Sequence, residues 1–126
     1  MTTMIERLTD ALAAEFANEI VFAAAPPAVI SVPSVIVSPS DPYLEPWTHG
    51  MIQEHWDVLV AVSLKDKATG LAQMRDLSLR VHRVANSVGA IWRSASGPRR
   101  LLDEQGRASV ISSNLVSFQY PPPVLL

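Results

Sequence analysis

Hydrophobic and polar positions along this chain follow two different periods. Across residues 3–23, Ile5, Leu8, Leu12, Phe16 and Ile20 recur every three or four positions, which lines one face of a helix. Glu6, Arg7, Asp10, Asn18 and Glu19 fall mainly on the other side. Thr3 and Glu6 match the S/T-x-x-E box, in which each side chain satisfies a backbone donor left free at a helix start. Pro26-Pro27 is the expected stop, because proline lacks a donor and disfavours helix in the residue before it. A second run, Leu71, Met74, Leu77, Val81, Val84, Val88 and Ile91, predicts a helix within residues 66–93. Asp66 or Thr69 would cap it, and Ser96-Gly97-Pro98 would end it.

Period two appears between these helices and after them. In residues 51–65, Ile52, Trp56, Val58, Val60, Val62 and Leu64 take the even positions, and Gln53, His55, Asp57, Ser63 and Lys65 the odd ones. That alternation predicts a strand with one buried face and one wet face. Glu54 interrupts the apolar side, so this end is expected to project beyond the core. Residues 34–38 read as a shorter strand bounded by Pro33 and Pro39, where missing ladder donors matter least. Asp41-Pro42-Tyr43-Leu44-Glu45-Pro46-Trp47 then reads as a proline-stiffened loop carrying two aromatics. Residues 99–103 start another strand, Glu104-Gln105-Gly106 makes a tight turn, and residues 108–120 form the last strand, closed by Pro121-Pro122-Pro123. The expected order is α-β-β-α-β-β. This is an α+β fold, an antiparallel or mixed β-sheet packed by two helices, in a single domain over residues 1–126.

Strand length changes the picture. Fifteen residues at ~3.3 Å each would extend about 50 Å, whereas a compact domain of this size is roughly 36 Å across. Bulges or a hairpin arm would absorb the excess. Alternatively the overhanging ends pair with neighbouring copies, since an open strand edge is a template for partners.

Composition then excludes several classes. The chain has 126 residues, 48% hydrophobic, with ten Pro, five Gly and no Cys, so disulfide scaffolds, thiolate zinc sites and cysteine nucleophiles are ruled out. Ten Lys+Arg against twelve Asp+Glu give a net charge of −2, unlike an ordinary basic nucleic-acid module. No apolar run approaches the ~20 residues that span a bilayer, and Glu6 and Asp10 sit where a signal peptide would be basic and then apolar. The expectation is a soluble protein with no membrane partner.

Little in the sequence speaks for catalysis. His49, His55 and His82 make neither an H-x-x-x-H nor an H-E-x-x-H pair, so no metal site is expected and the histidines read as surface residues. There is no G-x-S-x-G and no phosphate-cradling glycine loop, and carboxylate pairs such as Asp41/Glu45 or Asp103/Glu104 are too common to signify acid–base chemistry. Neither an enzyme nor a cofactor is expected. The concentrated basic spot is Arg99-Arg100, with Arg93 nearby. It could meet an acidic neighbour or passing DNA, and Arg80 and Arg83 on the second helix are the other candidate contact. Tyr43 and Trp47 either cover the core's edge or dock on a neighbour.

Taken in order, these patterns resemble the small tail terminator proteins of long-tailed bacteriophages, especially those infecting actinobacteria. The resemblance is carried by the N-terminal helix, Pro-Pro-Ala-Val, Asp41-Pro42-Tyr43-Leu44, Trp56-Asp57-Val58-Leu59-Val60, a helix of similar length and Gly97-Pro98-Arg99-Arg100. It covers nearly the whole chain. The Val29-Ile30-Ser31-Val32 stretch and the final Pro-Pro-Pro-Val-Leu-Leu depart from it. The resemblance implies a non-enzymatic virion protein of the tail and neck, assembled in the host cytoplasm. It implies a homohexameric ring whose partners are itself, the tail tube protein and the head-tail connector, with DNA passing through the lumen without sequence-specific binding. Within it, Tyr43, Trp47, Arg80, Arg83, Arg99 and Arg100 would be interface residues. A neighbouring connector or head-completion protein, or a small-molecule-binding α+β domain, are the alternative readings.

Overall fold

A computed structural model describes residues 3–17, 21–23, 33–48, 50–62, 67–102 and 108–120. The Pro26-Pro27 stop, the departing Val29–Val32 stretch, His49, the Asp66 cap, the Asp103-Glu104-Gln105-Gly106 turn and the closing prolines lie outside these residues. Helix α1 spans Met4–Phe16 and opens on the predicted box: Thr3 accepts from the Glu6 amide at 3.2 Å and the Glu6 carboxylate accepts from the Thr3 amide at 3.4 Å. It buries Leu8, Leu12 and Phe16. The helix is shorter than its periodicity predicts. Ala17 leaves helical geometry (φ −56°, ψ 136°), and Val21–Ala23 form a short strand, β1.

Strand β2 (Ser34–Pro46) pairs with β1 in parallel and with β3 (Ile52–Val62) antiparallel. The residues expected to form a loop after Ser38 therefore continue β2. Its register slips between Pro39 and Leu44, where the Asp41-Pro42 peptide is cis. Among the described residues β1 pairs only Ser34, Val35 and Ile36, so beyond Ile36 no described strand lies outside β2 and its prolines take the place where missing ladder donors matter least. Helix α2 (Lys67–Ser87) follows; it starts before Thr69, which is thus inside the helix rather than its cap.

The end of α2 also corrects the prediction. Gly89 adopts φ +80°, a left-handed conformation that glycine takes without a Cβ penalty. Ala90 donates to the Ala85 carbonyl at 3.0 Å and Gly89 to that of Asn86 at 3.2 Å, the paired bonds of a Schellman cap. The chain beyond it is strand β4 (Ile91–Ala95), so Ile91 belongs to no helix. Strands β5 (Arg99–Leu102) and β6 (Ala108–Tyr120) complete the sheet.

The order along the chain is thus α-β-β-β-α-β-β-β. The six-stranded sheet is mixed, ordered β1-β2-β3-β6-β4 with β5 also on β6, and the α+β class holds. Both helices cover one sheet face, where Val35, Val37, Val58, Val60, Val62 and Val116 meet Leu12, Phe16, Leu77 and Val81 in the core. That packing reaches only part of the sheet. Toward the other end β2 is exposed from Asp41 to Pro46 and Ile52 is uncovered. At ~3.3 Å per residue β3 is about 36 Å long, and the register slip in β2 takes up residues as a bulge does. No described helix is long and apolar enough to cross a membrane.

Candidate functional site

The uncovered end of the sheet forms an arm made from the second half of β2 and the start of β3. Its strands carry their own fastening. Glu54, directly opposite Leu44 in the ladder, accepts from the Tyr43 hydroxyl at 2.8 Å and from the Trp56 indole at 2.9 Å. The Tyr43 ring stands edge-on to Trp56, with centroids 5.3 Å apart and planes at 82°, a preferred aromatic geometry. The bond to the Glu54 carboxylate, helped by partial burial, raises the Tyr43 phenol above its ordinary pKa. Glu54, which breaks the apolar alternation in the sequence, is therefore the clasp of the arm. Tyr43, Leu44 and Ile52 remain 40%, 54% and 36% exposed on the sheet face that the helices cover elsewhere.

The opposite face of the arm holds a polar cluster. His55 lies 2.5 Å from the Ser117 hydroxyl through Nδ1 and 3.0 Å from the Glu45 carboxylate through Nε2, and Arg93 Nε donates to the same Ser117 oxygen at 2.8 Å. His55 is buried, contrary to its expected place on a wet strand face. Glu45, Ser117 and Arg93 surround its ring, and Gln53 on the same face is buried as well. Serine, histidine and carboxylate in sequence resemble a nucleophilic relay. Here Ser117 has no exposed surface and its oxygen is already held by Arg93, so the arrangement ties β2, β3, β4 and β6 together. A cleft of about 320 Å³ adjoins it, lined by Asp41, Glu45, Trp47, His55 and Arg93 among others. Among the described residues no group of three or more His, Asp or Glu is disposed to hold a metal.

The sequence-predicted contact residues do not form one site. Tyr43 and Trp47 belong to the arm, and Trp47 is about half exposed. Arg80 is engaged inside the molecule: it meets the Glu15 carboxylate at 2.9 Å and the Glu15 carbonyl at 3.0 Å, and its guanidinium lies 4.7 Å from the centre of the Phe16 ring. Its first task is joining α2 to α1. Arg83 reaches the same carboxylate only at 4.0 Å and is largely exposed. Arg99 and Arg100 are exposed on β5, across the sheet from the arm. His82 packs edge-on against Trp92, with centroids 5.1 Å apart.

Two features escape the sequence prediction. The first is an apolar groove of about 310 Å³ between α2 and β4, lined by Leu71, Met74, Leu79, Trp92 and Pro98 with Arg75 at its margin. Leu71 and Leu79 are 40% and 51% exposed, although Leu71 fits the predicted core stripe. The second is charge segregation. Residues 33–57 contain Asp41, Glu45, Glu54 and Asp57 and neither Lys nor Arg. Residues 67–102 contain Lys67, Arg75, Arg80, Arg83, Arg93, Arg99 and Arg100 against Asp76 alone. This division is readable in the sequence once the bounds of the arm are known, and the near-neutral total conceals it. No protein-family model matches the chain, and no curated protein matches it.

Proposed function

We propose that this chain is a structural virion subunit, a tail terminator. It assembles as a homohexameric ring at the head-proximal end of a phage tail tube, ends tube polymerisation and offers a docking surface to the neck. The observation that carries this reading is the arm: aromatic and aliphatic side chains left exposed beyond the helices and held there by their own hydrogen bonds. Exposed apolar surface of this kind marks interaction sites. A contact that uses two different surfaces closes into a ring when its rotation divides the full turn. The exposed pair Arg99 and Arg100 would face the tube protein or the lumen through which DNA passes, and six copies multiply that charge.

Light scattering with negative-stain imaging tests the assembly: the expected particle is a ring of six 13.7 kDa chains. Function is tested in the phage. Removing the protein should leave tail tubes of uncontrolled length that do not join heads. Replacing Arg99 and Arg100 together by Glu should block tail completion while circular dichroism stays unchanged. Normal tails made without the protein would overturn the reading, and normal tails from the double variant would remove these arginines from it.

A further inference from the structure

We infer that the acidic arm of one copy seats in the basic-rimmed groove between α2 and β4 of the next copy, head to tail. This deepens the ring reading, on which it rests, by naming the two surfaces that meet. The arm is built on β2 and the start of β3, and the groove runs beside β4, on the far side of β6. Both open on the sheet face that carries the helices, but strand spacings of ~4.8 Å keep them apart, and Leu44, Ile52, Leu71 and Leu79 all stay exposed, so neither surface covers the other within one chain.

The chemistry of the surfaces is complementary. The arm offers Leu44 and Ile52 beside the edge of Tyr43, all more than a third exposed, with the Glu54 carboxylate on the same face, while Asp41 and Glu45 line the cleft on the other face with His55 and Arg93. The groove offers Leu71 and Leu79, with Met74 and Trp92 deeper. Arg75 stands at its margin. Simple strand addition is the poorer alternative for the arm. Pro39, Pro42 and Pro46 remove ladder donors along β2, a device that blunts edges against pairing. The arm is thus built to dock by its side chains.

The test uses two full-length variants, Leu44→Asp in the arm and Leu79→Asp in the groove. Both positions are more than half exposed, so each chain should fold, and the circular dichroism spectrum and melting temperature should match wild type. Each variant alone should associate at least about ten-fold more weakly than wild type, the effect of losing one anchoring side chain at an interface centre. Mixed together they should form a 1:1 dimer and no ring, because one intact arm and one intact groove remain between them. Wild-type assembly by either variant alone overturns the inference. So does a mixture that stays monomeric while wild type assembles, or a wild-type chain that is monomeric at about 100 µM, well above the micromolar range of weak specific interfaces. Failure of the two readings is separable. Chains that dock this way but leave tube length uncontrolled overturn the terminator, and a working terminator whose variants assemble normally overturns the docking.

Discussion

At the scale of single residues, buried polar side chains pin the elements together. Asn114 is wholly buried on β6; its amide donates to the Val58 carbonyl at 3.2 Å and the Ser78 hydroxyl at 3.4 Å, and its oxygen accepts from the Trp92 indole at 3.1 Å. One side chain thus joins β3, β4, β6 and α2. Asn114→Leu keeps the branched outline of the side chain but removes the acceptor of the Trp92 indole. It should lower stability by about 1–3 kcal/mol, the cost of a buried group left unpaired, read as a lower urea midpoint at unchanged slope. Tyr43 makes a prediction about pH. Its phenol is held above the ordinary value of 10.0 by the hydrogen bond to Glu54, so the folded arm keeps the proton more tightly than the unfolded chain does. The stabilisation is then complete below pH 10 and is lost as pH rises through the higher folded value. Absorbance of the phenolate in wild type minus that in Tyr43→Phe should show a group titrating above 10; a midpoint at or below 10 contradicts the clasp.

At the scale of elements, the body and the arm should respond differently to mutation. Leu12 has no exposed surface, so Leu12→Ala should cost about 2–5 kcal/mol. Leu44→Asp, on the arm, should shift monomer stability by no more than about 0.5 kcal/mol, as surface changes do. Thermal melts of the two variants below the assembly concentration check both. The same division governs what the sequence reveals. The box at Thr3 and Glu6, the bounds of β6 and the buried even positions of β3 were legible because local chemistry and burial agree there. Periodicity overextends both helices for one reason. Apolar spacing continued through Ile20 and Ile91, while backbone geometry had already ended the helices at Ala17 and Gly89. The glycine was a readable signal, and it competed with an unbroken run of threes and fours. The second half of β2 was hidden because its prolines argue against a strand, and only its place at the sheet margin makes them harmless. The burial of His55 is hidden because alternation does not reveal what covers the second sheet face.

At the scale of the whole molecule, the charge pattern separates two ways by which the chain could associate. A net charge of −2 alone would make copies repel weakly, and added salt would then strengthen association. The segregated pattern predicts the opposite. If the acid-rich arm of one copy meets the base-rich margin of the next, the attraction acts between unlike charges at a partly wet rim. Such attraction is screened as the Debye length falls from about 10 Å at 0.1 M salt to about 3 Å at 1 M. The apolar part of the contact, Leu44 and Ile52 against Leu71 and Leu79, is not screened. Salt should therefore weaken assembly without abolishing it, and the rate of association should fall more than the rate of dissociation rises, because steering acts mainly on encounter. Replacing Arg75 by Gln should reduce the salt dependence while leaving the fold untouched, since its side chain is exposed at the groove margin. Sedimentation across a salt series, for wild type and this variant, decides the matter. Assembly that strengthens steadily from 0.1 to about 1 M salt, where rim charges are screened, would mean that apolar contact acts alone and that the division of charge serves some other partner.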